Sequence, residues 1–479
     1  MKFNTPDWVK NAVFYQIFPD RFAKGEANVI PYTVPLEAWH EVPTLQGYKG
    51  GNLWGVIEKL DYLKDLGINA IYFTPIFQSA SNHRYHTHDY YQVDPLLGGN
   101  EALLTLLEAA RAREMKVVLD GVFNHCSRGF FFFNDILENG PYSPWLDWFK
   151  IQDWPLSAYD GSKPANYIGW IGNRALPEFN HDNPQVREYI MKIAEYWVIQ
   201  GIDGWRLDVP FEIQTPGFWQ EFRDRVKAIN PDAYIVGEVW RDSRQWLDGT
   251  QFDAVMNYLF TGPTIAFTAG DRVVEDLVVQ PDYDASPPLD AAGYGAKIEH
   301  LLQLYPWEIQ LAQLNLLDSH DTARLISVAD RDRATVELAT LLLMTFPGAP
   351  SIYYGDEIGL IGRIDPDSRR SFPPEAEWNQ EVLAYHKKLI ALRHQYPALR
   401  TGRYEVLAAE GLVYAFARIL GDSEIIIAVN SGTEPVSVGV EAKSLNSQPS
   451  QILYGKAEIN WDSQSLGLTL PPRSGCILG

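Results

Sequence analysis

Apolar and polar positions along the chain fall into two alternating patterns. Short apolar runs bounded by turn residues read as buried strands. They occupy 13–18, 68–73, 116–123, 202–209, 233–239, 252–258, 311–317 and 351–354. Between them lie stretches with apolar residues at helical spacing: 53–66, stopping at Gly67; 101–114; 184–200, with Asn183 in the capping position; 218–229; 334–346; and 381–394. Strands and helices in alternation predict a parallel α/β fold. A series of eight favours a closed (β/α)8 barrel over an open doubly wound sheet. No glycine-rich dinucleotide fingerprint follows the first strand.

Two regions depart from this rhythm. Residues 124–182 carry no clean helix or strand period and are rich in Phe, Trp, Pro, Asn and Gly. A structureless loop of that length is unusual, so it reads as a small inserted subdomain. Beyond residue 400 the pattern turns to alternating β-type runs at 404–408, 412–417, 424–429, 436–440, 451–454 and 466–470. The predicted division is therefore a barrel built from 1–123 and 183–400, an insertion at 124–182, and an antiparallel β domain at 401–479. The segment 271–295, with its Asp and Pro clusters, is expected to be a surface excursion.

Composition narrows the partners. The chain has 479 residues, 46% of them hydrophobic, and a formal charge of −21. Long-range attraction to nucleic acid or anionic lipid is not expected from so acidic a protein, and a neutral ligand fits better. Aromatics make up 13%, enough to fill a core and leave some for stacking on sugar rings. Two distant cysteines, Cys126 and Cys476, argue against a disulfide framework and for a reducing compartment. No secretory h-region and no membrane-length apolar stretch is evident, so a cytoplasmic location is expected.

Strand ends carry the candidate chemistry, because parallel barrels place active-site groups at their C-terminal ends. The third strand runs into Asp120-Gly121-Val122-Phe123-Asn124-His125. The fourth carries Arg206 and Asp208, the fifth Glu238, and the seventh leads to Asp318-Ser319-His320-Asp321. Any one of these alone reads as a cap or a structural polar group. Together at one barrel mouth they do not belong in an apolar core. No HExxH or close His-x-His pair accompanies them, and Arg206 beside Asp208 opposes a metal. Arg206 is expected to lower the pKa of Asp208, leaving Glu238 as the protonated partner. An ionised Asp208 attacking an anomeric carbon, with Glu238 as acid and then base, is the retaining route to glycosidic cleavage. It places the two carboxyls roughly 5–5.5 Å apart. Asp321, His125 and His320 would hold sugar hydroxyls. A sugar hydroxyl in place of water would give transglycosylation.

These four segments resemble, in order and across nearly the whole chain, the signature regions of the α-amylase superfamily, glycoside hydrolase family 13. The resemblance implies a TIM barrel, a domain B inserted after the third strand and a C-terminal β-sandwich. It implies Asp208 as nucleophile, Glu238 as acid/base and Asp321 as transition-state stabiliser, with Asp120, His125, Arg206 and His320 supporting the cleaved sugar. Val13-Phe14-Tyr15-Gln16-Ile17-Phe18-Pro19-Asp20-Arg21-Phe22, Ile71-Tyr72-Phe73-Thr74-Pro75-Ile76-Phe77, Leu176-Pro177-Glu178-Phe179-Asn180 and Glu238-Val239-Trp240 resemble the neopullulanase, cyclomaltodextrinase and maltogenic amylase group. That implies stacking roles for Tyr85 at the cleaved sugar and Trp240 on the leaving-group side.

The chain also departs from that group. It opens directly on the barrel, where most members carry a further N-terminal domain that helps build a dimer. In this it is similar to the short debranching-type members, and both monomer and homodimer stay open. Pro210-Phe211-Glu212 stands where Ala-Asn-Glu is common, which makes Phe211 and Glu212 candidates for the leaving-group subsites. His86 stands where Asp is common. The calcium loop of some relatives needs several Asp and Asn residues. Lys24-Gly25-Glu26-Ala27-Asn28 and Gly50-Gly51-Asn52 keep few of them, so no cofactor is expected and calcium is the one candidate. The expected function is hydrolysis of α-1,4 and α-1,6 bonds in maltooligosaccharides, cyclodextrins, pullulan or glycogen-derived branches. The alternatives are a glucan transglycosylase or trehalose-forming isomerase and, more remotely, a non-catalytic partner protein on the same fold.

Overall fold

The structure is a computed structural model that describes residues 3–26, 33–441, 445–462 and 465–479. Eight parallel strands form its centre: β1 (Phe14–Ile17), β2 (Ala70–Phe73), β3 (Lys116–Gly121), β4 (Gly204–Leu207), β5 (Tyr234–Gly237), β6 (Ala254–Val255), β7 (Leu314–Asn315) and β8 (Ala349–Tyr353). Their order around the sheet is β6-β5-β4-β3-β2-β1-β8-β7. A parallel bridge between Met256 and Leu314 joins the two ends, and the Asn257 amide donates to the Leu314 carbonyl at 2.8 Å. The sheet is therefore a closed barrel. Nearly every strand residue is buried, which is why the strands read as unbroken apolar runs rather than alternating ones.

Helices ring the barrel: α1 (Leu53–Leu66), α2 (Gly99–Arg111), α3 (Pro184–Gln200), α4 (Phe218–Ile229), α5 (Tyr258–Ala269), α6 (Ala291–Leu304), α7 (Arg333–Thr345) and α8 (Gln380–Gln395). Their boundaries follow local chemistry. Asn52 and Asn183 accept from the Gly55 and Gln185 amides at 2.9 and 2.8 Å, closing the first turns of α1 and α3. Gly67 and Gly201 end the same helices at φ 97° and 107°, a conformation that costs glycine little. The chain thereby turns back into β2 and β4 within a few residues.

Several elements differ from the sequence reading, among them helix α6, which it left unassigned. The run 252–258 is not one strand. Only Ala254–Val255 forms a strand, Met256 adds the single bridge to Leu314, and Tyr258 already starts α5. Helix α5 is apolar all round and contains Gly262 and Pro263, so it carries no helical period to detect. The segment 271–295 is only partly a surface excursion. Leu277, Tyr283 and Ala285 are buried, and Asp290 caps α6 through the Gly293 amide at 2.7 Å.

Residues 124–183 stand between β3 and α3. Their one regular helix, Phe131–Asn139, was invisible to periodicity because Phe130 to Phe133 are four consecutive aromatics. Their core is aromatic: Phe132 stacks on Trp145 at 3.9 Å, and Phe133 meets Phe149 edge-on at 4.9 Å. Single bridges tie Phe149 to Phe179 and His125 to Glu178.

After α8 the chain forms two antiparallel sheets from β9 (Arg403–Glu410), β10 (Val413–Leu420), β11 (Ser423–Asn430), β12 (Val436–Glu441), β13 (Ile452–Gly455), β14 (Glu458–Asp462), β15 (Ser465–Leu470) and β16 (Ser474–Leu478). The orders are β9-β10-β11-β16-β13 and β12-β15-β14. Strands β14 and β16 escaped the sequence reading. Val413, Ile426, Leu466 and Leu468 fill the space between the sheets. Among the described residues no helix is long and apolar enough to cross a membrane.

Buried arginines lock this sandwich to the barrel. Arg418 on β10 donates to the carbonyls of Leu399 and Gly402, each at 2.8 Å, and reaches the Thr345 carbonyl at the end of α7. Carbonyls at a helix end have no partner inside the helix, and a cation there is doubly favourable. Arg418→Met would keep the stem and strand these carbonyls in an apolar interface. The expected loss is about 3 kcal/mol of unfolding free energy, read by urea denaturation.

Candidate active site

One arginine sits in the barrel lumen. Arg206 on β4 is completely buried and registers with Asp120 on β3, so the two side chains meet on the inner face. Its Nη1 lies 3.0 Å from both carboxylate oxygens of Asp120 and 3.1 Å from Oδ1 of Asp208. Its Nη2 stands 3.0 Å from Oε2 of Glu238 without hydrogen-bond alignment. A single guanidinium therefore gathers three carboxyls from β3, β4 and β5 at their C-terminal ends. The candidates Asp120, Arg206, Asp208 and Glu238 are one cluster.

The backbone beside it is strained. Val209, a β-branched residue, takes φ 35° and ψ 50° directly after Asp208. That region is unfavourable for such a side chain and persists only when the surroundings enforce it. Its effect is to aim the Val209 amide at Oε2 of Glu238, 3.2 Å away. Trp240 Nε1 approaches the other oxygen at 3.4 Å, and its ring lies flat on Tyr258 at 3.6 Å. Glu238 is thus positioned from both sides, while Oδ2 of Asp208 has no hydrogen-bond partner among the described residues.

Electrostatics correct one expectation. Arg206 does not hold Asp208 below the usual carboxylate range. Burial pushes Asp208 well up, and the nearby charge of Glu238 adds to this; Arg206, shared among three acids, offsets only part. Glu238 is likewise raised, by burial first, with Arg206 opposing and the charge of Asp321 adding. Burial pushes Asp120 up to about 6. These groups titrate as a set, and the set retains a proton that a lone surface carboxylate would lose.

Tyr85, His320 and Asp321 join the same cluster. Tyr85 lies parallel to His320 at 5.5 Å, and its hydroxyl is 2.9 Å from Asp120 and 2.6 Å from His320 Nε2. His320 Nε2 also faces Asp321 Oδ2 at 3.1 Å. His125 stacks on Trp170 at 5.1 Å. Its Nε2 is buried without a hydrogen-bond partner, an arrangement that a ligand hydroxyl would complete. Burial drives His125 down to about 3 and His320 well below the usual imidazole range, so both are neutral near pH 7. Phe211 is half-exposed beneath the Arg241 guanidinium at 5.1 Å. Glu212 is exposed and pairs with no cation among the described residues.

Sequence reasoning missed several neighbours. Gln16 on β1 holds His320 Nδ1 at 2.8 Å, and a polar residue in an apolar strand was the available signal. Arg369 donates to the His320 carbonyl at 3.0 Å and stands 3.6 Å from Asp321. It lies in an irregular loop after β8 that carries no pattern. Trp170 arrives from the insertion. Among the described residues no group of three or more His, Cys, Asp or Glu could hold a metal ion. Ala27 and Asn28 of the calcium candidate lie outside the described residues.

Comparison with known proteins assigns the family. Residues 16–372 match the alpha amylase catalytic domain, and 402–478 the alpha-amylase C-terminal domain. The chain is 40% identical to a cyclomaltodextrinase of Geobacillus thermopakistaniensis, over 98% of this chain and 77% of that protein. It is 39% identical to neopullulanase 2 of Thermoactinomyces vulgaris, over 99% and 79%. The crystal structure of a debranching enzyme from Nostoc punctiforme is 69% identical, with a TM-score of 0.94 and full coverage of both chains. The barrel and the sandwich are thus those of a glycoside hydrolase, and the chain belongs to the α-amylase family.

Proposed function

We propose that the protein hydrolyses α-glucans with retention of configuration, cleaving α-1,4 and α-1,6 bonds. The carrying observation is the pair Asp208 and Glu238, on adjacent strand ends around Arg206, with one oxygen of Asp208 unengaged. Asp208 Oδ2 attacks the anomeric carbon as the glycosidic C–O bond breaks, and Glu238 gives its proton to the departing oxygen. Glu238, now a carboxylate, takes a proton from water, whose oxygen attacks the same carbon and releases Asp208. The buried floor strengthens each of these charge interactions. Asp321 and the neutral His125 and His320 hold the hydroxyls of the cleaved sugar. Tyr85 and Trp240 supply aromatic surface on either side of the bond. The names of the relatives, which include cyclomaltodextrinase, neopullulanase and debranching enzyme, support a substrate range with both linkages.

A side-by-side digest of pullulan, a cyclodextrin, linear maltooligosaccharides and a branched glucan tests this reading. Reducing sugar should appear with an α-configured first product by NMR. Disproportionation or trehalose with little reducing sugar released would replace hydrolase with transferase or isomerase.

Asp208→Asn and Glu238→Gln should each lower kcat by roughly 10²–10⁴-fold while melting as the wild type does. Near-normal turnover in either removes that residue from its role. The pH profile of kcat/KM should be a bell displaced upward. Glu238 must be protonated, so activity falls as pH rises through its raised pKa, above the ordinary value of about 4.3. Asp208 must be ionised, so activity falls as pH drops through a raised acid limb. Asp321→Asn removes a charge that raises Glu238. It should therefore move the basic limb of its residual activity to lower pH.

A further inference from the structure

A second pair of carboxyls sits just past the ends of β7 and β8. Asp318 lies three residues beyond β7 and Asp356 three beyond β8. The two strands are neighbours, and the two side chains share a hydrogen bond. Their cation is Arg324, not Arg206. It is fully buried, and its Nη1 donates to Oδ1 of Asp356 and to the Tyr354 carbonyl, each at 2.8 Å. The guanidinium lies over the rings of Tyr353 and Tyr354 at 4.2 and 4.8 Å. His386 lines the same small cavity, but burial drives it down to about 4, so it is neutral near pH 7. Tyr283 and Glu357 are the other titratable groups beside the pair. Two acids packed together beside one guanidinium do not both ionise readily. Burial raises both, and the charge of Asp318 raises Asp356 further, so Asp356 keeps the proton and donates it to Asp318.

The loop that this pair holds is the one that carries Asp321. Asp318 Oδ2 accepts from the Leu325 amide at 2.6 Å, which closes residues 318–325 into a ring. Inside it, Thr322 Oγ1 accepts from the Ser319 amide at 2.9 Å, and Ser319 Oγ accepts from the Asp321 amide at 3.1 Å. Ser319 Oγ also meets the hydroxyl of Tyr258 at 3.0 Å, and Tyr258 is the ring on which Trp240 lies. Asp356 therefore grips the loop at both ends, through Asp318 at its start and Arg324 near its finish. His320 and Asp321 lie between the two grips.

We propose that Asp318 and Asp356 are positioning residues, a role that rests on the α-glucan hydrolase reading: their carboxyl–carboxyl contact fixes the loop 318–325 against the end of β8 and so sets where His320 and Asp321 meet the cleaved sugar.

The test compares Asp356→Ala with Asp356→Asn. Asn keeps both contacts, accepting from Arg324 and donating to Asp318 as the protonated acid does, and Ala keeps neither. On a chromogenic maltoside, Asp356→Ala should lower kcat roughly 10–100-fold with KM within about threefold of wild type, as expected when a group away from the chemistry is misplaced. Asp356→Asn should return both parameters to near the wild-type values. The charge of Asp321 raises Glu238, so a displaced Asp321 should also move the basic limb of kcat/KM to lower pH in Asp356→Ala and not in Asp356→Asn. A purely structural role lowers the amount of folded protein and leaves that limb in place. Wild-type kcat or an unmoved limb in Asp356→Ala overturns the proposal, and so does an equal loss in Asp356→Asn. Should Asp356→Ala not fold, Asp356→Ser takes its place under the same readings. Its shorter side chain loses the carboxyl contact, and the adjoining cavity of about 20 Å³ has room for one water beside Arg324. If the wild type cleaves no α-glucan, the hydrolase reading fails separately. NMR of the His320 ring then judges the pair: its resonances should shift in Asp356→Ala and not in Asp356→Asn, and unshifted resonances in Asp356→Ala overturn the role.

Discussion

The site depends on a charge that cannot leave. Arg206 is fully enclosed by the barrel, and its guanidinium would be intolerable there without partners. Asp120, Asp208 and Glu238 supply them, and the arginine in turn makes it tolerable to bury three acids together. Removing water raises every carboxyl in the set, so protons are shared within it. Burial raises all three acids while one cation opposes it, and pairs of carboxyls with unequal surroundings are the equipment for acid–base and nucleophilic chemistry at one centre.

The rest of the molecule keeps that cluster dry and in register. Closure through Met256 and Leu314 leaves the barrel without an open edge and turns every inner residue toward the lumen. The insertion covers one side, with its aromatic core bringing Trp170 onto His125. The loop after β8 brings Arg369 against Asp321 and the His320 carbonyl. The sandwich is joined through the buried Arg418 to the end of α7 and nearby carbonyls.

How much was legible follows from which signals are local. The eight strands, and helices such as α1, α3 and α8, are written in short stretches of pattern and in caps such as Asn52, Asn183 and Gly67. Helix α5 and the helix Phe131–Asn139 were lost because both are apolar or aromatic on all sides, so burial erased the contrast that reveals a period. Of the site, the acids, histidines and Arg206 stood out because polar residues at strand ends are conspicuous. Gln16, Trp170 and Arg369 did not, since each acts through a neighbour distant in sequence.

The sequence by itself determined the barrel, its insertion and the trailing β domain, and singled out the carboxyl pair as candidates, because these rest on local periodicity and on residue types at strand ends. It did not determine how protons are distributed within that pair. Two residues of spacing suggested that Arg206 belongs to Asp208. Only the tertiary structure brought Asp120 and Glu238 to the same guanidinium and closed water out around all four. The charge state of a buried group is set by everything packed against it, and that neighbourhood is assembled from strands that the sequence keeps far apart.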